Sequence, residues 1–223
     1  MRARGIGDYQ LAISRDDNFH HRLELTLGTG ERIMDLHLHL CTLAWPPQRD
    51  RIDVVVIEWL LMQNPRAQFT REKPQLPGQD HPGTGLGRDV LQMLLLLTQR
   101  TSRDGLVVVP EKFHLAELYG RGGWRAPHRA VDAEVRAVVS AASSIGFAAR
   151  AWAVERGCVV DDAGAPYRYQ PSERVLAISD RLAAVVAASR ASLASTEASG
   201  AYRVDRERFA QSLRDAPIPG IAL

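Results

Sequence analysis

Apolar and polar residues alternate along much of the first 62 positions, which is typical of β-strands. Apolar side chains occupy every second position within Ile33–Leu43 and define one face, namely Met34, Leu36, Leu38 and Leu40. A shorter alternating segment, Leu23–Leu27, precedes it, and Gly28–Glu31 suits a hairpin connection between the two. Pro46–Pro47 should end the second strand, because proline cannot donate to a β-ladder. The continuous apolar run Ile52–Met62 predicts a buried central strand.

A helical pattern then extends from Arg88 to about Arg100. Its apolar face should contain Val90, Met93, Leu94, Leu95, Leu96 and Leu97. Gly105 is expected to end the helix, since glycine adopts positive φ without steric cost. A strand over Leu106–Val109, ended by Pro110, should follow. Together these patterns predict an α/β fold.

The remaining segments set the expected domain organisation. Residues 63–82 contain four prolines and should form a long, partly extended loop. Further helical segments are expected at 131–142, 147–156 and 182–194, and residues 159–169 could form two short strands around a turn. We therefore expect a single domain over residues 1–195 with a helical C-terminal part, followed by a C-terminal tail over 196–223.

Composition narrows the class of protein. The 223 residues are 45% apolar and 24% charged, as in an ordinary globular domain, and the net charge of +2 gives no reason to expect nucleic acid as a partner. Cys41 and Cys158 lie too far apart in sequence to suggest a disulfide framework or a metal motif. No signal peptide or membrane span is evident, so a cytoplasmic protein with no membrane partner is expected.

Candidate chemistry is concentrated in residues 83–124. The segment Gly83–Arg88 reads Gly-Thr-Gly-Leu-Gly-Arg and opens the predicted helix. Unpaired backbone N–H groups at such a turn, together with the positive end of the helix dipole, suit a phosphate. The predicted strand follows, and after it a short helical segment carrying Tyr119 and then Gly123-Trp124.

This loop–helix–strand–helix unit resembles the core of the GNAT superfamily of N-acyltransferases. Gly83, Gly85 and Gly87 match the glycines of the family's pyrophosphate-binding turn, and Arg88 opens the helix as is common there. The second half of the family motif is matched by Ala116, Leu118, Tyr119, Gly123 and Trp124. The resemblance covers about 42 of the 223 residues.

The resemblance implies a mixed, mostly antiparallel central sheet flanked by helices, and an acyl-CoA bound at the glycine turn. The residues implied to bind the cofactor are Gly83, Thr84, Gly85, Leu86, Gly87 and Arg88. An acetyl or longer acyl group would pass from the acyl-CoA, or from an acyl-carrier protein, to an amine of a small molecule, peptide or protein by direct attack. Tyr119 is implied as the general acid that protonates the departing thiolate, for which a phenol of pKa about 10 is suitable. No metal is needed.

The amine must also lose a proton, and the resemblance places the acyl thioester along the strand that contains Glu58. Glu58 is the only carboxylate in Val54–Met62, and on a buried strand it should have a partner or a catalytic role. His81 and His114 are the other candidate bases. Backbone N–H groups of residues 59–62 are implied to bind the acyl carbonyl oxygen.

Two alternatives remain. Asp35, His37 and His39 share one strand face and could form a metal-dependent hydrolase site, although a polar, half-exposed strand face is the more common explanation of such a pattern. The chain could also be a non-catalytic GNAT-derived module that binds a ligand or a protein. The basic cluster Arg121, Arg125, His128 and Arg129 could contact the 3′-phosphate of CoA or be a solvated surface.

Overall fold

The structure, a computed structural model, describes residues 8–45, 50–192 and 201–221. Contacts divide the chain into two compact units. The first contains the residues up to Gln68, together with Asp80–Val108 and Ala177–Val185. The second contains Phe69–Gln79, Val109–Leu176 and the residues from Val186 onwards. Pro46–Pro47, predicted to end a strand, lie outside the described residues.

The first unit is built on a mixed sheet in which strands β1 to β5 are adjacent in chain order. The strands are β1 Tyr9–Arg15, β2 His20–Leu27, β3 Arg32–Trp45, β4 Asp50–Met62 and β5 Gly105–Val108. Each of the first four is antiparallel to its neighbour, and β5 is parallel to β4. The connection from β4 to β5 contains the helix α1, Gly87–Arg100. The expected fold class, a mostly antiparallel sheet with flanking helices, is confirmed.

Burial along β3 and β4 follows the apolar pattern only in part. The predicted face of β3, Met34 to Leu40, is at most 9% exposed. Ile52 to Ile57 of β4 includes four side chains at most 5% exposed, but Glu58 and Trp59 are exposed. The expectation that all of Ile52–Met62 is buried is wrong, because β5 pairs with β4 only as far as Ile57.

Helix α1 ends at Arg100, as expected, but Gly105 is not the residue that ends it. Its C-cap is Thr101, and Ser102 rather than Gly105 has positive φ, at 51°. Gly105 is instead the first residue of β5. Leu96, expected on the apolar face, is 59% exposed, and the buried residues of α1 are Val90, Leu94 and Thr98.

Asp104 connects three separate stretches of the first unit. Its carboxylate accepts hydrogen bonds from the Asp53 amide at 2.9 Å, the Ser179 hydroxyl at 2.7 Å and the Arg181 guanidinium at 2.7 Å. Its backbone carbonyl accepts from the amides of Ile178 and Ser179. These bonds fix the start of β5 against β4 and against residues 178–181.

The second unit is mainly helical. Its elements are α2 Phe113–Arg121, α3 Arg129–Ala141, α4 Phe147–Glu155, β6 Val159–Asp161, β8 Tyr202–Val204 and α6 Arg206–Asp215. Two further elements contain residues of both units, namely β7 Arg174–Ala177 and α5 Asp180–Ser192. The helices predicted at 131–142 and 147–156 are confirmed, and so is that at 182–194 as far as Ser192.

The C-terminal residues differ from the expectation. Within 159–169 only β6 is a strand, and it pairs with β8. The residues after the turn form an isolated antiparallel bridge with it, Val160 with Pro166. Residues 201–221, expected as a tail, contribute β8 and α6, and Phe209 and Leu213 of α6 are buried in the apolar core of the second unit. Asp205 caps α6 by accepting a hydrogen bond from the Arg208 amide.

A buried ion pair joins α2 to α4. The Glu117 carboxylate, 3% exposed, accepts from Nε and Nη2 of Arg150 at 2.9 and 2.6 Å, and also from Arg121. The second Arg150 terminal nitrogen donates to the carbonyls of Ala142 and Ile145, each at 3.1 Å. The charge and the hydrogen-bonding capacity of both buried side chains are therefore largely satisfied.

Among the described residues, no helix combines the length and apolar character needed to cross a membrane.

Candidate functional site

The glycine turn is an extended segment whose two sides differ in burial. Pro82, Thr84 and Leu86 are buried, whereas Gly83, Gly85 and Gly87, which alternate with them, are exposed. The Leu86 amide donates to the Thr84 hydroxyl at 3.2 Å, and Gly85 has φ of 74°. The buried side chains fix the turn, while the glycines leave its outer side without side chains.

This outer side leads directly into the N-terminus of α1. Leu86 occupies the N-cap position, and no side chain there accepts a hydrogen bond from the first helical amides. The Leu86 side chain therefore does not neutralise the positive end of the helix dipole, although the carboxylate of Asp89 lies within the first turn. Arg88 and Asp89 follow in the first turn, both exposed, so one cationic and one anionic side chain flank the turn.

The turn packs against the end of β4. The Asn64 amide donates to the Pro82 carbonyl at 2.7 Å, and a Cβ placed on Gly83 would lie 3.8 Å from the Met62 carbonyl oxygen. Residues 58–62 of β4 extend beyond the last pair with β5, Ile57 with Val108. The structure thus brings the predicted glycine turn together with the strand end predicted to bind an acyl group.

Glu58 lies at a β-bulge. His37 pairs with Trp59 and Leu38 pairs with Ile57, so Glu58 is the extra residue of β4. Its side chain is 42% exposed, which corrects the expected burial, and His39 Nδ1 lies 3.5 Å from its carboxylate. The expectation that Glu58 has a partner is met by His39. The His39 ring in turn stacks on His20 with 4.1 Å between centroids.

Asp35 is separated from these groups by its own contacts. It is 3% exposed and accepts from Nε and Nη2 of Arg22 at 2.8 and 2.9 Å. Arg32 and His37 lie 3.2 and 3.0 Å from its carboxylate. The hydrogen bond from Arg22 is the main cause that lowers the pKa of Asp35, against the opposing effect of burial. His39 is not part of this cluster, so the three residues of the hydrolase alternative do not form one ligand set.

Tyr119 lies in α2 and belongs to the second unit. Its ring packs against Trp124 with 5.0 Å between centroids, and burial raises the pKa of its hydroxyl. Within the described residues no hydrogen bond to this hydroxyl occurs. The side chain therefore combines a packing contact with a phenol that stays protonated at neutral pH.

The other predicted polar residues have mainly structural contacts. Burial lowers the pKa of His114, which is 4% exposed, to about 4. Arg121 pairs with Glu117, and Arg125 donates to the carbonyls of Gly120 and Trp124. Half of the basic cluster is thus already engaged within the second unit, while His81 is half-buried beside the glycine turn.

Comparison with known proteins gives limited similarity. No family model matches the chain, and no curated protein sequence is significantly similar to it. Among solved structures, a KacTA–DNA complex has a TM-score of 0.34 and 16% identity, with 50% of this chain and 62% of that chain covered, which is less than two thirds of the latter. AtaT complexed with acetyl-methionyl-tRNAfMet has a TM-score of 0.36 and 14% identity, with 53% of this chain and 88% of that chain covered. The third structure is a tyrosine-to-phenylalanine mutant of the AtaT toxin, bound to the C-terminus of the antitoxin AtaR and to acetyl-CoA. It has a TM-score of 0.35 and 14% identity, with 53% of this chain and 86% of that chain covered.

Scores this low describe partial backbone similarity, so the fold assignment rests on the order of β1 to β5 and on the β4–turn–α1–β5 connection. The fold is a mixed, mostly antiparallel central sheet with flanking helices, as the resemblance to the GNAT superfamily implies. The expectation that nucleic acid is excluded as a partner is wrong, since two of the matched structures contain DNA or tRNA. A net charge of +2 sums over the whole surface and does not exclude a local basic region.

Sequence reasoning missed His20 as a neighbour of Glu58 and His39. Next to the β2–β3 turn, Thr26 pairs with Arg32. If this register continued along both strands without a shift, His20 would pair with Leu38. A register shift between Leu25 and Thr26 moves the pairing by one residue and places His20 opposite His39. Such a bulge leaves no clear signal in the sequence.

Proposed function

We propose that the chain is an N-acyltransferase that uses acetyl-CoA or a longer acyl-CoA. The observation that carries the proposal is the glycine turn, exposed on its glycine side and fixed on its other side, at the N-terminus of α1, where the N-cap residue Leu86 offers no capping side chain. Backbone amides of the segment Gly83 to Arg88, other than the Leu86 amide that donates to Thr84, would bind the pyrophosphate, which needs close approach without intervening Cβ atoms. The ligands in the matched AtaT structures, acetyl-methionyl-tRNA and acetyl-CoA, are ligands of AtaT and do not by themselves identify those of this chain.

The acyl group would lie along the end of β4. Residues 58–62 continue past the end of β5, so amides on that edge have no β5 partner and are suited to polarise a carbonyl oxygen. The amine nitrogen attacks the thioester carbonyl carbon, an amide bond forms, and the C–S bond breaks. The amine proton passes to Glu58, assisted by its neighbour His39. The departing thiolate takes the hydroxyl proton of Tyr119.

The proposal is tested first at the turn. Gly85→Val places a β-branched residue at φ of 74°, where such residues are strained, and puts a side chain into the phosphate position. Acetyl-CoA affinity measured by calorimetry should fall at least about tenfold, or 1.4 kcal/mol. Gly30→Val is the matched control, because Gly30 has φ of 91° in the β2–β3 turn and nothing within 4 Å of its Cβ position.

Tyr119→Phe tests the chemical step separately. Thiol release from acetyl-CoA, measured with a panel of amine acceptors, should slow about 100-fold while binding of acetyl-CoA is retained. Unchanged turnover would remove the general-acid role. Acetyl-CoA binding without thiol release for any acceptor would favour the non-catalytic module, and equal acetyl-CoA affinity of Gly85→Val and wild type would exclude the glycine turn as the binding site.

A further inference from the structure

Three ligand-type side chains converge on the first unit's sheet. His20 of β2, His39 of β3 and Glu58 of β4 each offer one nitrogen or oxygen atom, and these atoms lie within 4.8 Å of one another. The convergence depends on two irregularities, the register shift that places His20 opposite His39 and the bulge at Glu58. Neither the acyl-transfer steps nor the packing of the sheet requires His20 at this position.

His20 is held in an orientation suited to a ligand. Its Nδ1 lies 2.8 Å from Oδ2 of Asp17, whose Oδ1 accepts from the amides of Phe19 and His20 at 2.6 and 2.7 Å. When Asp17 accepts the Nδ1 proton, the lone pair of Nε2 is available. A carboxylate behind an imidazole is the usual outer partner of a metal-binding histidine, where it fixes the tautomer and the ring direction.

We propose that His20, His39 and Glu58 form a binding site for a divalent transition-metal ion of the Zn²⁺ class. Two imidazole nitrogens and one carboxylate oxygen are a ligand set that Zn²⁺ accepts, with further positions open to water. At Zn–ligand distances of about 2.0–2.1 Å, tetrahedral ligand atoms are about 3.3 Å apart, so a rotation of the side chains must bring the three atoms closer. The side chains are 39%, 32% and 42% exposed, which leaves them free to do so.

Neighbouring groups do not offer a better set. Asp35 is paired with two arginines, and a cation beside it would face those positive charges. His37 is bound to Asp35 rather than directed toward His39. Cys41 lies two residues from His39 on β3, and burial raises the pKa of its thiol, which disfavours the thiolate that a metal requires.

The site would link β2, β3 and β4, and it would engage the carboxylate proposed as the catalytic base. Its existence does not depend on acyl transfer, and it is tested by binding. The metal-free full chain is titrated with ZnCl₂ by calorimetry, and Co²⁺ is added separately to read the coordination from its visible spectrum. The variants are His20→Ala, His39→Ala and the control His37→Ala, which has the same residue type on the same face of β3.

The expected result is saturable 1:1 binding by the wild type and by His37→Ala, and at least about tenfold weaker binding by His20→Ala and His39→Ala. Circular dichroism of the metal-free variants checks that each is folded, and Glu58→Gln provides a third ligand variant with little change in shape. Absence of Zn²⁺ binding by the wild type would overturn the proposal. So would full affinity in all three ligand variants, or loss of binding only in His37→Ala, which would assign the metal to the Asp35 cluster instead.

Discussion

Acid should destabilise the second unit through one buried histidine. His114 lies in α2, is 4% exposed and packs edge-on against Phe147. Burial lowers the pKa of its imidazole to about 4, and the charges of Glu155 and Glu117, which favour the protonated form, are not enough to offset it. Lys112 acts in the same direction as burial. The folded state therefore holds this side chain neutral.

The size of the effect follows from the two pKa values. The unfolded chain binds a proton at His114 near pH 6.5, whereas the folded chain does so only near pH 4. Since the folded pKa is the lower one, stability falls as the pH decreases from about 6.5 to about 4 and then levels off. Between pH 7 and pH 5 the unfolding free energy should fall by about 2 kcal/mol. Most carboxylates titrate below this pH range.

Urea unfolding at pH 7 and pH 5, followed by the fluorescence of Trp124 and Trp152 in the second unit, measures this loss. In His114→Phe, which keeps an aromatic ring against Phe147, the loss should be smaller than in the wild type by about 2 kcal/mol. His128→Phe, at an exposed histidine of the same unit, should behave as the wild type. An equal loss in the wild type and in His114→Phe would refute the reasoning, because the acid sensitivity would then come from other groups.

Two further changes test the packing of the second unit. Arg150→Met should lower the unfolding free energy by about 3–5 kcal/mol in urea titrations, because it leaves the buried Glu117 paired only with the exposed Arg121. The double variant Arg150→Met with Glu117→Leu should recover most of the lost stability. A single variant as stable as the double variant would contradict this explanation. Gly220→Ala should lower the melting temperature for two reasons: Gly220 has φ of 80°, which strains an alanine backbone, and the added Cβ would contact the Thr70 carbonyl and lie 2.7 Å from Pro74 Cα. Gly164→Ala, with φ of 82° and nothing within 4 Å, isolates the backbone strain, so equal effects of the two would exclude the steric contact.

The elements of the first unit were largely predictable because its periodicities are strong. Alternation placed β3 and its buried face, and the glycine turn preceded a helix and a short strand as the motif implies. The end of α1 was predicted at the right place, but the positive φ that follows it belongs to Ser102 and not to Gly105. The hydrogen bonds of Asp104 that fix the start of β5 depend on Ser179 and Arg181, which are distant in sequence.

The surroundings of the candidate site were harder to predict, because a strand register shifted by one residue changes every neighbour. Residues Gly83 to Arg88 could be selected from a local pattern. The contact of Glu58 with His39 depends instead on the bulge at Glu58, and that of His20 with His39 on the register shift between β2 and β3. The pairing of Glu117 with Arg150 similarly links residues 33 positions apart. Local composition contains no information on such pairs, and the same holds for α6, whose buried face becomes evident only with its partners.

The bonds of Asp104 also bear on how the protein folds during synthesis. Ser179 and Arg181 are translated about 70 residues after Val108, which takes about 4–14 s at 5–20 residues per second. Until they leave the ribosome, the carboxylate at the start of β5 lacks two of its three side-chain or amide donors. A nascent chain stalled before residue 177 should therefore present an incompletely closed first unit, accessible to chaperones, whatever the state of the helices that follow it.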